Sequence, residues 1–459
     1  MKAVIAIAAL AMRAAVRSRV VVCLLVLLGL TVIGLPLTIK GDGTVEGYVQ
    51  ILLSYTLGAS AMLLSVTTLW AGCAAVSAEI AGRQLQLVAV KPVSRPAIWL
   101  GKWLGLLAIN TLLLGVVGLA TYGLLHWKTR PGQLAPAEEA RLRGQVLVAR
   151  RLVLPRPADV AAAARAQFEE QRARGQIPPN IQPAEALEAI RQNLELRAAS
   201  VGPGGRVDWV FDLPAQRSGT GQLALEYKFA ASQVEATRVE GQWLLQTADG
   251  ATRWRTNVNA IANAVQELAV PTDALPAAAA AQLSFVNLDR RAVTLIFDLD
   301  HVPRLLVPAG GFGGNFARAL LVLWVRLAFL GAIGLTAGSL FSMPVATFFA
   351  LYAVILLQAA GYVQSLSQEE YLTPWSNRFD GSTPGLLDTA MRSLFRGLGA
   401  VLTPLRDPDP LGPLAAGELI GWTWVSRVFL IKGVLYSAAL ALLAGLVLNR
   451  RELARPADS

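Results

Sequence analysis

Asp208, Asp212, Asp298 and Asp300 fall in pairs, near the ends of stretches that read as β-strands. Two carboxylates held at a fixed separation can act as acid and base on a glycosidic bond. Solvated strand ends are the ordinary alternative, and the sequence outlines no pocket around them. Trp209, Tyr227, Trp243 and Trp254 accompany the acids. They could line a glycan-binding face, although aromatics on strands more often fill a core. The one Gly-Lys pair, Gly101 and Lys102, precedes Trp103 and follows Pro96 where a phosphate loop needs its first glycine, so the chain carries no phosphate-loop motif for ATP. The glycines at 311–314 read as a hinge. His126 and His301 stand far apart, and Cys23 and Cys73 both sit in apolar runs. That pattern offers no metal-ligand set and no disulfide framework, so no cofactor is expected on this chain.

Two further cations lie inside apolar runs. Arg326 is about two helical turns into its run and Lys432 about one turn into its own. Charges at such positions are costly and often functional. Long basic side chains also reach back toward the interface, which is the reading for Lys432. Arg326 is a weak candidate for a substrate contact.

The elements that carry these residues are long apolar runs. The 459 residues are 54% hydrophobic and 16% charged, with mean hydropathy +0.48, a composition that predicts a membrane protein. Six runs approach the roughly 20 residues a bilayer requires: 20–39, 49–76, 96–125, 318–341, 345–363 and 428–448. Residues 1–19, with Lys2, Arg13, Arg17 and Arg19, read as an interfacial helix before a retained signal-anchor. Residues 128–314 form a polar insertion. Helical patterns at 158–174 and 183–197 come first in it, and short β-patterns from 206 suggest an antiparallel β-sandwich. Residues 315–459 hold the remaining spans and a Pro/Gly-rich stretch, 364–427, with an amphipathic helix near 386–398. Net charge is +10 without the aromatic-basic interleaving that stacks bases, which argues against nucleic acid.

Between the second and third runs lies a basic wedge, 77–95. Glu79 and Arg83 are placed to pair on one helix face. Leu85, Leu87, Val88 and Val90 give an apolar side, Pro92 breaks the helix, and Ser94 stands as N-cap to a helix with Pro96 in its first turn. Arg83, Lys91, Arg95 and Lys102 outnumber Glu79 around it, so the positive-inside bias puts the wedge in the cytoplasm. Basic Arg450, Arg451 and Arg455 put the C-terminus on the same side, which leaves 128–314 outside.

The stretch EIAGRQLQLVAVKPVSRPAIWLGKWLG resembles the cytoplasmic signature of ABC-2 type transporter permeases, and the likeness extends to MRAAVRSRVVV, FSMPVA and VLNRREL. It implies an α-helical membrane subunit without enzymatic activity of its own, in a bacterial inner membrane. A cytoplasmic ATPase would bind ATP and Mg, and a second permease copy would complete a homodimer. Carried onto this sequence, 79–90 (Glu79, Arg83, Leu87) would dock on the ATPase. Lys91, Pro92, Val93, Ser94 and Arg95 would fix the turn, and Gly101 and Lys102 would start the levered span. The large external insertion departs from the plainest family members and puts simple small-drug export in doubt. Export of a lipid, glycan or peptide is the first expectation. Force transmission to an external protein or glycan partner without translocation, or a membrane-anchored scaffold, are the alternatives.

Overall fold

The protein is described as a computed structural model covering residues 2–17, 19–39, 45–82, 94–130, 135–156, 160–178, 183–213, 223–233, 238–247, 251–271, 280–291, 293–297, 302–358, 366, 386–402 and 409–450. The chain divides into two compact units. The first comprises Met1–Leu142, Gly313–Ala416 and Ile420–Ser459, and the second Arg143–Phe312 with Gly417–Leu419.

The first unit opens with α1 (Lys2–Val16) and α2 (Arg19–Thr38). α3 (Val45–Ile51), a π-helical turn (Leu52–Thr56) and α4 (Leu57–Ala81) follow as one helical run. α5 (Arg95–Lys128) starts with Pro96 in its first turn, where a missing N–H costs nothing. α6 (Pro136–Arg141) ends this part.

The second unit holds α7 (Ala161–Ala173) and α8 (Pro183–Ala198), close to the helices expected there. Surface pairs such as Arg174–Glu170 at 2.6 Å and Arg191–Glu195 at 2.7 Å line them at helical spacing. Its strands are β1 (Val148–Val153), β2 (Ser200–Val201), β3 (Arg206–Asp212), β4 (Leu223–Tyr227), β5 (Phe229–Ala231), β6 (Arg238–Thr247), β7 (Thr252–Ile261), β8 (Gln266–Val270), β9 (Ala280–Asn287), β10 (Leu295–Phe297) and β11 (Arg304–Gly311). They pair antiparallel in three sheets, β1-β11-β4-β8, β2-β10-β5 and β3-β9-β6-β7. The expected two-sheet sandwich is thus three sheets around one core. Period-two alternation puts Val239, Gly241, Trp243 and Leu245 of β6 inward, against Phe211, Phe229, Phe285 and Phe297. Trp243 meets Phe285 edge-on at 5.0 Å, the geometry aromatic quadrupoles favour. Gly241 has no Cβ because the Phe285 ring occupies that place.

The chain runs from β11 directly into α9 (Phe312–Leu340), whose first turn takes in Gly313 and Gly314. α10 (Met343–Gln358), α11 (Leu386–Leu402), α12 (Leu411–Ala415), α13 (Trp422–Val428), a π-helical segment (Phe429–Tyr436) and α14 (Ser437–Arg450) complete the first unit. Among the described residues, five helical runs are long and apolar enough to cross a membrane: Val21–Thr38, Gly47–Ala81, Arg95–Lys128, Phe312–Leu340 and Trp422–Leu448. The sixth expected span, 345–363, corresponds to α10, which is 16 residues or about 24 Å, and to residues outside the described ones. Only 17% of the Val21–Thr38 window is buried. A helix apolar on all sides and so little covered leaves a broad apolar surface unpartnered.

Candidate functional site

The described ends of the wedge meet in one corner of the helix bundle. Glu79 stands in the last turn of α4 and Lys102 two turns into α5. Lys102 Nζ reaches Glu79 Oε1 at 2.5 Å and the Ala75 carbonyl oxygen at 2.6 Å. Lys102 is 6% exposed, and a buried ammonium persists only where such partners meet it. The two helices flanking 83–93 are therefore bolted together by a charge-assisted pair. Glu79 pairs with Lys102; its expected partner Arg83 lies outside the described residues, as do Leu87, Lys91, Pro92 and Val93.

Ser94 occupies the N-cap with extended backbone angles (φ −64, ψ 141), and its carbonyl accepts from the N–H groups of Ala97 and Ile98. Its hydroxyl makes no capping bond, so the cap is a backbone cap with Pro96 behind it. Arg95, half-buried, is the first helical residue. Gly101 and Lys102 consequently do not begin the helix; they sit well inside it. Gly101 has a different task. A Cβ there would meet the Ile7 side chain at 2.8 Å and the Val4 carbonyl oxygen at 3.0 Å, and one on Gly105 would meet the Ala8 oxygen and Ala11 Cβ, both at 2.8 Å. The spacing Gly101-x-x-x-Gly105 lets α1 lie directly on α5. That spacing is itself visible in the sequence.

Aromatic and small side chains close the corner. Trp99 and Trp103 stack at 6.0 Å, and Trp103 Nε1 donates to the Ala328 carbonyl of α9 at 2.8 Å. Val76, Trp99, Ala332, Leu335 and Ala444 form one buried cluster, while Ile98 and Leu448 form another with Ile7 and Ile80. α1, α4, α5, α9 and α14 all converge on this corner.

Arg326 is not part of it. It lies half-buried in α9, three residues before Phe329, over whose ring Lys432 Nζ sits at 5.6 Å. Lys432 is 3% exposed, so it does not reach for an interface as expected; the π-helical turn points it into the bundle, against an aromatic face. Trp127 and Trp422 are exposed, as interfacial aromatics would be, and Arg318 stacks on Trp422 at 5.2 Å.

Of the four aspartates singled out in the second unit, the two described ones are held in ion pairs. Asp208 bonds Arg206 at 2.6 Å, and Asp212 holds Arg156 in a two-pronged pair. Asp298 and Asp300 lie outside the described residues. Tyr227 and Trp243 are core, with Trp209 and Trp254 packed against it. Among the described residues, no three His, Cys, Asp or Glu side chains gather as a metal site. A denser ionic group joins the sheet of β1, β11, β4 and β8: Arg150 pairs with Glu267, and Arg304 with Glu226 at 2.5 Å. Beside them, Gly417–Leu419 adds itself to β1. The Arg150 N–H donates to the Gly417 carbonyl at 2.8 Å and the Leu419 N–H to the Arg150 carbonyl at 2.7 Å. Burial, with Glu226 adding to it, raises the Glu418 carboxyl above the usual glutamate range.

Compared with known proteins, the chain matches no family model, no curated protein and no solved structure.

Proposed function

We propose that the chain is the membrane subunit of an ATP-binding-cassette transporter of the ABC-2 kind. It would take the force of ATP hydrolysis from a separate cytoplasmic ATPase and export a lipid, glycan or peptide, with residues 143–312 outside and both termini inside. The Glu79–Lys102 bolt carries the reading. A push delivered to 83–93 by a partner reaches α4 and α5 together, because the ion pair prevents their ends from separating. With Gly101 and Gly105 seating α1 on α5, three helices would move as one body.

Full-length tagged chain isolated from its native membranes should bring with it an ATPase bearing a phosphate-loop motif. Lys91→Glu with Arg95→Glu should release that ATPase while the chain still inserts. Wild-type chain recovered without an ATPase, or a Lys91 side chain labelled from outside the cell, overturns the proposal.

A second reading has one observation in its favour. Gly417–Leu419, three residues before the last long helix, is hydrogen-bonded into the second unit. Motion of that helix would pass along the main chain to β1, so hydrolysis could drive the outer domain against an external partner with nothing crossing. Complex reconstituted in liposomes separates the two readings: labelled lipid or glycan changes sides during ATP turnover only in the first.

A further inference from the structure

α1 divides its surface in an uncommon way. Val4, Ile7, Ala8 and Ala11 face α5. On the remaining surface Ile5 and Leu10 are each 66% exposed, Met12 41% and Val16 58%. Arg13 and Arg17, one turn apart, lie among them, and both are exposed. α1 ends at Val16 and α2 begins at Arg19, so these arginines mark the corner where the chain turns into its first apolar run. Met12, Arg13, Val16 and Arg17 line an open cleft of about 620 Å³ there.

The chemistry of that cleft is mixed in a specific way. Two guanidiniums four residues apart stand about 6 Å from each other at Cβ, a separation one phosphate can bridge. No acid lies in residues 1–41, and among the described residues neither guanidinium makes an ion pair. The thioether of Met12 and the methyls of Val16 supply an apolar wall beside the charge. An ion from solution would use the guanidiniums and leave that wall wet. A molecule with a phosphate at one end and a hydrocarbon chain at the other uses both.

We propose that this corner is a binding site for one anionic phospholipid, its phosphate between Arg13 and Arg17 and its acyl chain along Met12 and Val16. The site needs no ATPase, so it stands or falls separately from the transporter reading. Basic clusters next to a membrane helix attract anionic headgroups through the same charge complementarity.

Native mass spectrometry of the delipidated full-length chain in detergent, titrated with phosphatidylglycerol or phosphatidylcholine, tests it. Wild type should take up phosphatidylglycerol at one saturable site in preference to phosphatidylcholine. Arg13→Gln with Arg17→Gln should weaken that site about thirtyfold, the strength of two arginines near an anionic headgroup. Arg13→Lys with Arg17→Lys should retain most of it, and Arg172→Gln, on α7, should change nothing. Equal uptake of both lipids by wild type, unchanged affinity in the double glutamine variant, or full displacement by millimolar inorganic phosphate overturns the proposal. The wild-type lipid comparison decides the matter even where the double variant fails to fold.

Discussion

Lys102 and Glu79 illustrate how unequal the two halves of an ion pair are. The Lys102 side chain is 7% exposed and that of Glu79 34%. Glu79→Gln would leave an enclosed ammonium held by the Ala75 carbonyl, whereas Lys102→Met would leave a carboxylate that water still reaches. Breaking such a pair from the buried side's point of view costs about 3 kcal/mol, and replacing both partners by neutral groups of similar shape is far milder. Thermal unfolding in detergent should therefore rank the variants with Glu79→Gln lowest, Lys102→Met next, and the double variant near wild type. In the second unit the titrating residues oppose each other. The Arg291 side chain, together with the N–H groups of Arg291 and Glu240, holds Asp289 down from 3.8 to about 2. A depressed folded value stabilises above 3.8 and loses that stabilisation as pH falls toward about 2. Asp289→Asn should flatten this acid limb in tryptophan-monitored unfolding. Glu418 has the opposite sign: its folded value is raised, so its stabilisation is present below the ordinary glutamate value of 4.5 and lost as pH rises through the folded one. Glu418→Gln should leave the protein at pH 7 as stable as wild type or more so, while Asp289→Asn should weaken it.

At the scale of elements, the contact of α1 with α5 depends on two missing side chains. Leucine at Gly105 would push against the Ala8 backbone and Ala11. Overpacking of this kind costs roughly 1–3 kcal/mol. Gly105→Leu should lift α1 off α5, read as faster hydrogen exchange across 4–11 and a lower unfolding temperature, whereas Gly115→Leu, with open space at its Cβ, should do neither. The same elements show what the sequence could reveal. Long apolar runs fix five of the helices because hydrophobicity sustained over 18 residues or more has few other uses. β6 and β9 were legible because large apolar residues recur at every second position. β7 hid because its inward positions are Trp254, Thr256, Val258 and Ala260, too weak a contrast with the arginines and asparagines between them. β11 hid because Pro308 and its glycines read as breakers. The proline sits beside a bulge in β11 itself, where Ala309 is the extra residue between Gly310 and Pro308, which face Ala149 and Arg150 of β1. The residue types of the corner were visible in the sequence. The pairing of Glu79 across to Lys102 was not, because it depends on how two antiparallel helices register, and a local i, i+4 partner in Arg83 competed for it.

On the scale of the whole molecule, the chain passes between its two units four times, and the last two passages enclose just Gly417–Leu419. So short a segment belongs to a sheet only if its backbone geometry is right. Gly417 has φ +68, a conformation a β-branched residue rarely holds, and a Cβ there would collide with the Gln145 carbonyl. Valine at Gly417 thus meets strain and a clash together. The segment should leave β1, and with it go the two main-chain bonds at Arg150. Meanwhile Ile420 keeps its own anchors in the first unit, its N–H on Asn315 Oδ1 at 2.8 Å and its carbonyl on Arg318 at 3.0 Å. Damage should then stop at the boundary. In Gly417→Val, hydrogen exchange should rise at Arg150 and along β1, while α9 and Trp422–Leu448 keep wild-type protection. If exchange rises equally in those helices, the segment is holding the bundle together and not merely joining the sheet. If exchange at Arg150 does not change, the three residues carry no force to β1, and the force-transmission reading loses its one support.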